Sequence, residues 1–398
     1  MIFHSFQDLQ LSALGFGTMR LPQLPEGGID REEMDRMVDA AIAAGVNYFD
    51  TAYAYHGGVS ELEIGRSLAR YPRKSWYLAS KFPGHQNVKG VKYLQPEEVF
   101  EEQLQKCGVD YFDFYLLHNV SESSMAYYYG DPANHYMEYF LEQKARGRIR
   151  HLGFSSHATP PTLEKFLAMH GEHMEFCQIQ LNYVDWKLQE AEKKVAMLRE
   201  AGIPVWVMEP VRGGRLAHLG ESIEARMKAL RPEESVPAWA FRWLQTVPQP
   251  TMVLSGMSNL QQMEDNIRTF SEEKPLDAGE LALLEEAAAS LARMIPCTGC
   301  RYCCAGCPMG LDIPGLLAIA NDMAVTKSFN VVSRYTAMGD GKRADDCVGC
   351  GQCEMVCPQK IAVPEEMRRL ADLMAGQKTW EEVCAERAAA AEKMKNAK

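Results

Sequence analysis

The 398-residue chain carries 42 basic and 53 acidic residues, a formal net charge of -11, with 46% hydrophobic and 24% charged residues. That composition excludes a disordered chain, and an acidic balance with no Lys/Arg block argues against a nucleic-acid partner. No apolar run approaches the ~20 residues of a membrane span, and Met1-Ile-Phe-His-Ser-Phe-Gln-Asp lacks the basic flank and apolar stretch of a secretory leader. A cytoplasmic protein with no membrane partner is expected.

The length exceeds what one core supports, so two domains, or a large barrel with an appendage, are predicted. Up to about residue 290, short β-branched or aromatic runs alternate with longer amphipathic stretches. The predicted strands are Leu14–Thr18, Asn47–Asp50, Trp76–Ser80, Phe112–His118, Arg150–Ser155, Cys177–Asn182, Val205–Glu209 and Thr251–Ser255. The predicted helices between them include Arg31–Ala44, Pro96–Lys106, Tyr136–Arg146, Pro160–Met169 and Gln189–Ala201. Ala44-Gly45 and Ala201-Gly202 read as helix stops, with glycine in the left-handed cap. Repeated strand-then-helix units imply parallel strands with right-handed crossovers, and eight of them match a (β/α)8 TIM barrel. An open doubly wound sheet is the competitor. Gly15-Phe-Gly17-Thr-Met-Arg20 lacks the third glycine of its dinucleotide turn, however, and Pro22 and Pro25 prevent a helix from opening there.

A barrel places its chemistry at the C-terminal strand ends. Asp50, Tyr55, Lys81, His118, Ser155, Ser156, His157, Gln178, Asn182 and Glu209 fall there. Each alone has an ordinary structural explanation; their recurrence at successive strand ends does not. Tyr, Lys, His and Asp form a carbonyl-reducing set. Hydride addition puts negative charge on oxygen, which needs a proton. A Tyr hydroxyl is a weak acid unless a cation stabilises its phenolate, an Asp fixes the Lys that supplies this charge, and a neutral His orients the carbonyl.

These motifs, in this order over the first 290 residues, resemble the aldo/keto reductase family. "Asn-Tyr-Phe-Asp50-Thr-Ala-Tyr-Ala-Tyr55", "Ala-Ser-Lys81" and "Tyr-Leu-Leu-His118" match its four catalytic positions. The resemblance implies that Tyr55 is the general acid, that Lys81 and Asp50 tune it, and that His118 orients the small carbonyl or alcohol substrate. It also implies that "Gly-Phe-Ser155-Ser156" and Gln178 hold a nicotinamide carboxamide, although the family commonly has Asn where Ser156 stands. Met208 replaces its usual stacking aromatic. The segment Ser255-Gly256-Met-Ser258-Asn259 through Asp265-Asn266 looks like its dinucleotide-phosphate loop, with Gly256, Ser258 and Asn266 as contacts. A 2′-phosphate normally wants Arg or Lys, and none lies between Ser255 and Asn266, so NADH, NADPH and flavin all stay open. Arg212 and Arg215, beside Gly213-Gly214, read either as pyrophosphate contacts or as solvated loop charges. Tyr127-Tyr128-Tyr129, within 121–135, would either stack on a ring of the substrate or pack on a neighbouring domain.

Nine of the 12 cysteines lie between Cys297 and Cys357, whereas Cys107, Cys177 and Cys384 stand alone. Cys297-x2-Cys300-x2-Cys303-x3-Cys307-Pro and Cys347-x2-Cys350-x2-Cys353-x3-Cys357-Pro repeat the bacterial-ferredoxin spacing, in which the fourth cysteine ligates the other cluster. Cys297, Cys300, Cys303 and Cys357 are thus expected to hold one [4Fe–4S] cluster, and Cys347, Cys350, Cys353 and Cys307 a second. Zinc is the alternative, and Cys304 is a ninth thiol with no assigned place. Helix-like spacers, one starting at Ile313 and the other over Pro364–Ala375, resemble α-helical dicluster ferredoxins. The chain as a whole looks like an iron–sulfur-fused aldo/keto reductase. Its expected parts are a barrel over 1–290, a mainly α-helical dicluster unit over 291–376, and a terminal helix over 377–398 with no evident role.

Three functions compete. In the first, the barrel exchanges hydride and the clusters relay electrons. In the second, the clusters are structural or redox-sensing parts of a conventional reductase. In the third, an idle barrel supports an electron-transfer module that docks a redox protein. Nicotinamide moves two electrons as hydride and each cluster moves one, so a relay calls for a flavin-like mediator.

Overall fold

Eight parallel strands close into a barrel, each strand pairing with the next in sequence and the last with the first. The computed structural model describes residues 1–396 except 88–92, 123, 131–133, 249, 292–294, 296, 298, 300, 326–327 and 358. A hairpin comes first, β1 (Phe3–Phe6) and β2 (Leu9–Ser12). The barrel strands follow: β3 (Leu14–Gly17), β4 (Tyr48–Asp50), β5 (Tyr77–Phe82), β6 (Phe112–Val120), β7 (Ile149–Ser156), β8 (Cys177–Gln180), β9 (Val205–Met208) and β10 (Pro250–Ser255). All eight predicted strands are present, shifted by one or two residues at their ends.

These strands read as near-continuous apolar runs because both faces are buried. Along β6, Phe114 and Leu116 point into the barrel, where they meet Tyr48, Trp206, Met252 and Leu254, while Tyr115 and Leu117 face the surrounding helices. Gly153 is required in β7: a Cβ there would lie 2.6 Å from the Phe176 ring and carbonyl. The hairpin closes the N-terminal end of the barrel. Phe6 meets Trp206 edge-on at 4.9 Å and packs on Phe114 and Phe176. The helices take their predicted places, with Gly45 and Gly202 at positive φ after two of them.

One predicted helix is different. The span 189–201 begins only at Ala191, behind a separate turn, Asp185–Leu188. Asn182 caps that turn by accepting from Val184 N and Asp185 N, and Glu190, at φ 51°, breaks the chain between the two.

Beyond the barrel the described residues are mainly helical. The two cysteine runs fold alike. Short helices Tyr302–Ala305 and Gln352–Met355 each follow a left-handed residue, Arg301 or Gly351, and longer helices Ile313–Val325 and Val363–Ala375 pack on each other. Leu311, Ile313, Leu316, Val363, Met367 and Leu370 form a separate core. This unit lies against the barrel's C-terminal face: Asn119 donates to Asn330, and Arg212 lies 3.6 Å from Asp322. The terminal helix Trp380–Asn396 docks on the same face.

Candidate functional site

Strand geometry brings the four candidate catalytic residues together. β4 ends at Asp50 and β5 carries Lys81, both almost fully buried, and Lys81 Nζ donates to Asp50 Oδ1 at 2.5 Å and to the Thr51 carbonyl at 2.7 Å. Tyr55 follows in the short helical turn Tyr55–Gly58, which places its hydroxyl 3.4 Å from Lys81 Nζ. His118, on β6, meets the Tyr55 ring edge-on at 5.9 Å. Burial is the largest influence on each. It pushes Tyr55 above its ordinary range, Lys81 opposing, so the neighbouring ammonium does not by itself make this phenol acidic. Burial would lower Lys81, but Asp50 and Tyr55 outweigh it and the amine stays charged. Burial, then His85 and Lys81, hold His118 far below the usual imidazole range, so it is neutral.

His85 and Tyr128 hold the His118 segment in place. His85 packs edge-on against it at 4.6 Å, with Nδ1 bonded to the His118 carbonyl. The Tyr128 hydroxyl donates to the same carbonyl. Tyr127 and Tyr128 are buried among Phe82, Tyr136 and Phe166 of the barrel. Trp380 of the terminal helix stacks on His85 and donates its indole N–H to the His85 carbonyl at 2.6 Å.

The nucleotide end is assembled only in part. Ser155 and Gln178 are register partners on β7 and β8, and Gln178 Oε1 is buried without a hydrogen bond. The Ser156 hydroxyl donates to the Val120 carbonyl and accepts from Ala158 N. Met208 ends β9, half-buried. Asn266 is buried, donating to Ser255 Oγ, and Ser258 Oγ donates to the Arg20 carbonyl. Arg20 spans this end of the barrel. Its stem lies 3.5 Å from where a Gly256 Cβ would be, and its guanidinium 3.0 Å from the same position at Gly213. Arg212 is not a solvated loop charge. It is buried and paired with Asp185 at 2.9 Å, while Arg215 is exposed.

Cys307, Cys347, Cys350 and Cys353 line one apolar cavity with Leu311, Val363 and Met367, which is the cross-run grouping that the spacing predicts. No trio of His, Cys, Asp or Glu among the described residues converges tightly enough for a single ion, so these thiols ring a cavity and do not meet at a point. Cys297, Cys303, Cys304 and Cys357 pack on the core of the same unit; Cys300 lies outside the described residues.

A family model described as "Aldo/keto reductase family" matches residues 13–289. The chain belongs to the aldo/keto reductase family. A second model, "4Fe-4S dicluster domain", matches residues 296–362. Among curated relatives of this aldo/keto reductase, a probable aldo-keto reductase 1 of Glycine max is 26% identical over 52% of this chain and 58% of its own length. An NADH-specific methylglyoxal reductase of Escherichia coli is 24% identical over 72% of this chain and 97% of its own. Among solved structures, the holo form of an aldo-keto reductase from Bacillus halodurans superposes with a TM-score of 0.56 at 25% identity, covering 72% of this chain and 95% of that one. The fold is shared with a Klebsiella pneumoniae aldo/keto reductase solved with NADP and acetate (TM-score 0.57, 22% identity, 71% and 93% coverage).

Sequence reasoning overlooked three side chains of this aldo/keto reductase. Arg20 sat beside prolines, with no sign that β3 and β10 would bring it over Gly256. His85 and Trp380 are far apart in sequence and carry no motif, although a lone Trp in an Ala/Glu/Lys-rich tail is a signal that such a helix docks.

Proposed function

We propose that this chain is an oxidoreductase that interconverts a carbonyl and an alcohol, with a nicotinamide at the barrel mouth and two [4Fe–4S] clusters that relay electrons. The buried Asp50–Lys81–Tyr55 constellation beside a neutral His118 carries the reading. Nicotinamide bound along Ser155 and Gln178 supplies the hydride. Burial keeps the Tyr55 phenol protonated at rest, as a proton donor must be. When its O–H proton passes to the substrate oxygen, the phenolate charge develops 3.4 Å from an ammonium that Asp50 holds in place. Neutral His118 donates a hydrogen bond to the same oxygen without competing for the proton.

The nucleotide end supports NADH over NADPH. The donors at the start of helix Leu260–Thr269 are engaged within the protein: Ser258 N by Gln262 Oε1, Leu260 N by Glu33 Oε1, and Gln262 N by Asn259 Oδ1. A 2′-phosphate there would meet the Glu33 carboxylate, and the nearby Arg36 and Arg268 are tied to Glu33 and Asp265. Arg20, lying between Gly213 and Gly256, remains to face a pyrophosphate.

Clusters that exchange electrons with a hydride donor need a mediator competent in both one- and two-electron steps, the chemistry of a flavin. The contacts of Trp380 and Asp322 with the barrel favour a second reading, in which the clusters staple a lid over the mouth. One experiment separates these readings. Anaerobically purified protein is assayed for iron, sulfide and flavin, and for NADH-dependent reduction of 4-nitrobenzaldehyde, alone and with an artificial electron acceptor. About eight irons per chain are expected. Turnover that survives Cys350→Ser with the acceptor reaction lost supports the relay, and both surviving supports the staple. Folded protein that reduces no aldehyde with either nicotinamide contradicts the reductase reading.

A further inference from the structure

A cavity of about 490 Å³ separates the barrel from the cysteine-rich unit, away from the catalytic four. On the barrel side it is bounded by His157 and Thr159 after β7 and by Lys187 and Lys194 after β8; on the other side lie Cys297 and Arg334. Its size suits a small organic ligand.

Lys194 is the anomaly in its wall. The side chain is 2% exposed, yet its ammonium has no hydrogen bond or ion pair among the described residues. The carboxylates nearest to it are engaged elsewhere. Asp185 accepts from Arg212, Gln180 and Asn182, Asp322 from Arg334, and Glu122 from Thr159. The other cations in the wall have partners, Lys187 with Glu192 and Arg334 with Asp322. A buried ammonium with no hydrogen-bonded partner is unfavourable, which an anion entering the cavity would offset. Burial lowers the Lys194 pKa, while Asp185 and Asp322 partly restore it.

The geometry points to a binding site in this interdomain cavity for a small organic anion, a carboxylate or a phosphate ester, whose charge is taken by Lys194. Gln189 in the wall offers a further polar contact, the Glu190 carboxylate beside it is paired with Lys193, and Ile295, Pro314 and Ala318 form an apolar side. The site depends on the fold alone and not on the reductase reading, and its test needs no turnover.

Anaerobic holoprotein is titrated calorimetrically with inorganic phosphate and, separately, with succinate, against sodium chloride at matched ionic strength. One saturable site per chain is expected for at least one probe, the stronger identifying the phosphate or the carboxylate source. Lys194→Met should weaken it at least tenfold, and Lys194→Arg should stay within a few-fold of the unsubstituted protein. In the unsubstituted protein, reductive methylation read by peptide mass spectrometry should show Lys194 protected by the probe while Lys187 is labelled. The inference is overturned if neither probe gives a saturable heat, or if Lys194 labelling is unchanged at saturating probe. Equal binding by folded Lys194→Met would overturn it too.

Discussion

Replacing Lys81 by Met removes a side chain that is 1% exposed and leaves Asp50 facing an apolar pocket. Asp50 Oδ2 has no hydrogen bond even in the intact protein, and Oδ1 loses the 2.5 Å contact to Lys81. Breaking a buried pair from one side costs about 3–5 kcal/mol, which for a barrel of this size lowers the thermal midpoint by about 6–10 °C. The loss depends on pH in a fixed direction. Burial raises the folded-state pKa of Asp50, and without Lys81 nothing opposes it. A carboxyl raised in the folded state contributes stability that is present below its unfolded pKa and lost as pH rises through the folded value. Lys81→Met should therefore be destabilised least in acid and progressively more toward neutral pH. Asp50→Asn combined with Lys81→Met removes both charges and should regain most of the midpoint, while reduction of 4-nitrobenzaldehyde stays at least ~10²-fold down because no cation faces the developing phenolate. The assay is thermal unfolding by circular dichroism over a pH series, with turnover in parallel. A single variant as stable as the starting protein at neutral pH, or a double variant that regains activity with stability, would refute the reasoning.

Three further outcomes are expected. Asp322→Ala strips a partner from half-buried Arg334 and buried Arg212, so the helical unit should undock at a cost of about 3–5 kcal/mol; limited proteolysis should then cut near residue 290, which unchanged resistance would contradict. Phe6→Ala empties the barrel floor beneath Trp206 and should cost about 3–5 kcal/mol of stability without altering the KM for NADH, and an unchanged unfolding midpoint counts against the hairpin as a plug. For Glu175, burial is outweighed by His151, Lys144, Gln7 and the Leu152 amide, which hold the carboxyl at about 2 against an ordinary 4.5. A depressed carboxyl contributes stability that is lost as pH falls between those values, so Glu175→Gln should flatten that acid slope, and an unaltered slope would show that the contacts do not form.

The barrel was legible because its strands are buried on both faces and each carries its own apolar run. Asp50, Tyr55, Lys81 and His118 were legible because a parallel barrel gathers its strand ends, whatever their separation in sequence. The hairpin was not, since Phe3–Phe6 and Leu9–Ser12 are short and Gln7 takes a positive φ without the usual Asn-Gly or Asp-Gly signal. Arg212 was unreadable for a different reason: its partners Asp185 and Asp322 come from distant segments, so nothing local distinguishes a buried guanidinium from a solvated one. Trp380 is similar, because its docking on His85 is a tertiary event that a polar, Ala-rich helix does not announce.

Under the proposed function, hydride comes from the nicotinamide and the proton from Tyr55. The most direct measurement uses anaerobic holoprotein, NADH deuterated at the transferred C4 position and 4-nitrobenzaldehyde, with the alcohol read by mass spectrometry. One deuterium is expected on the carbinol carbon, and in Tyr55→Phe a rate lower by ~10²–10⁴ with NADH still bound. An alcohol without deuterium, or a Tyr55→Phe protein that turns over at the starting rate, would contradict it.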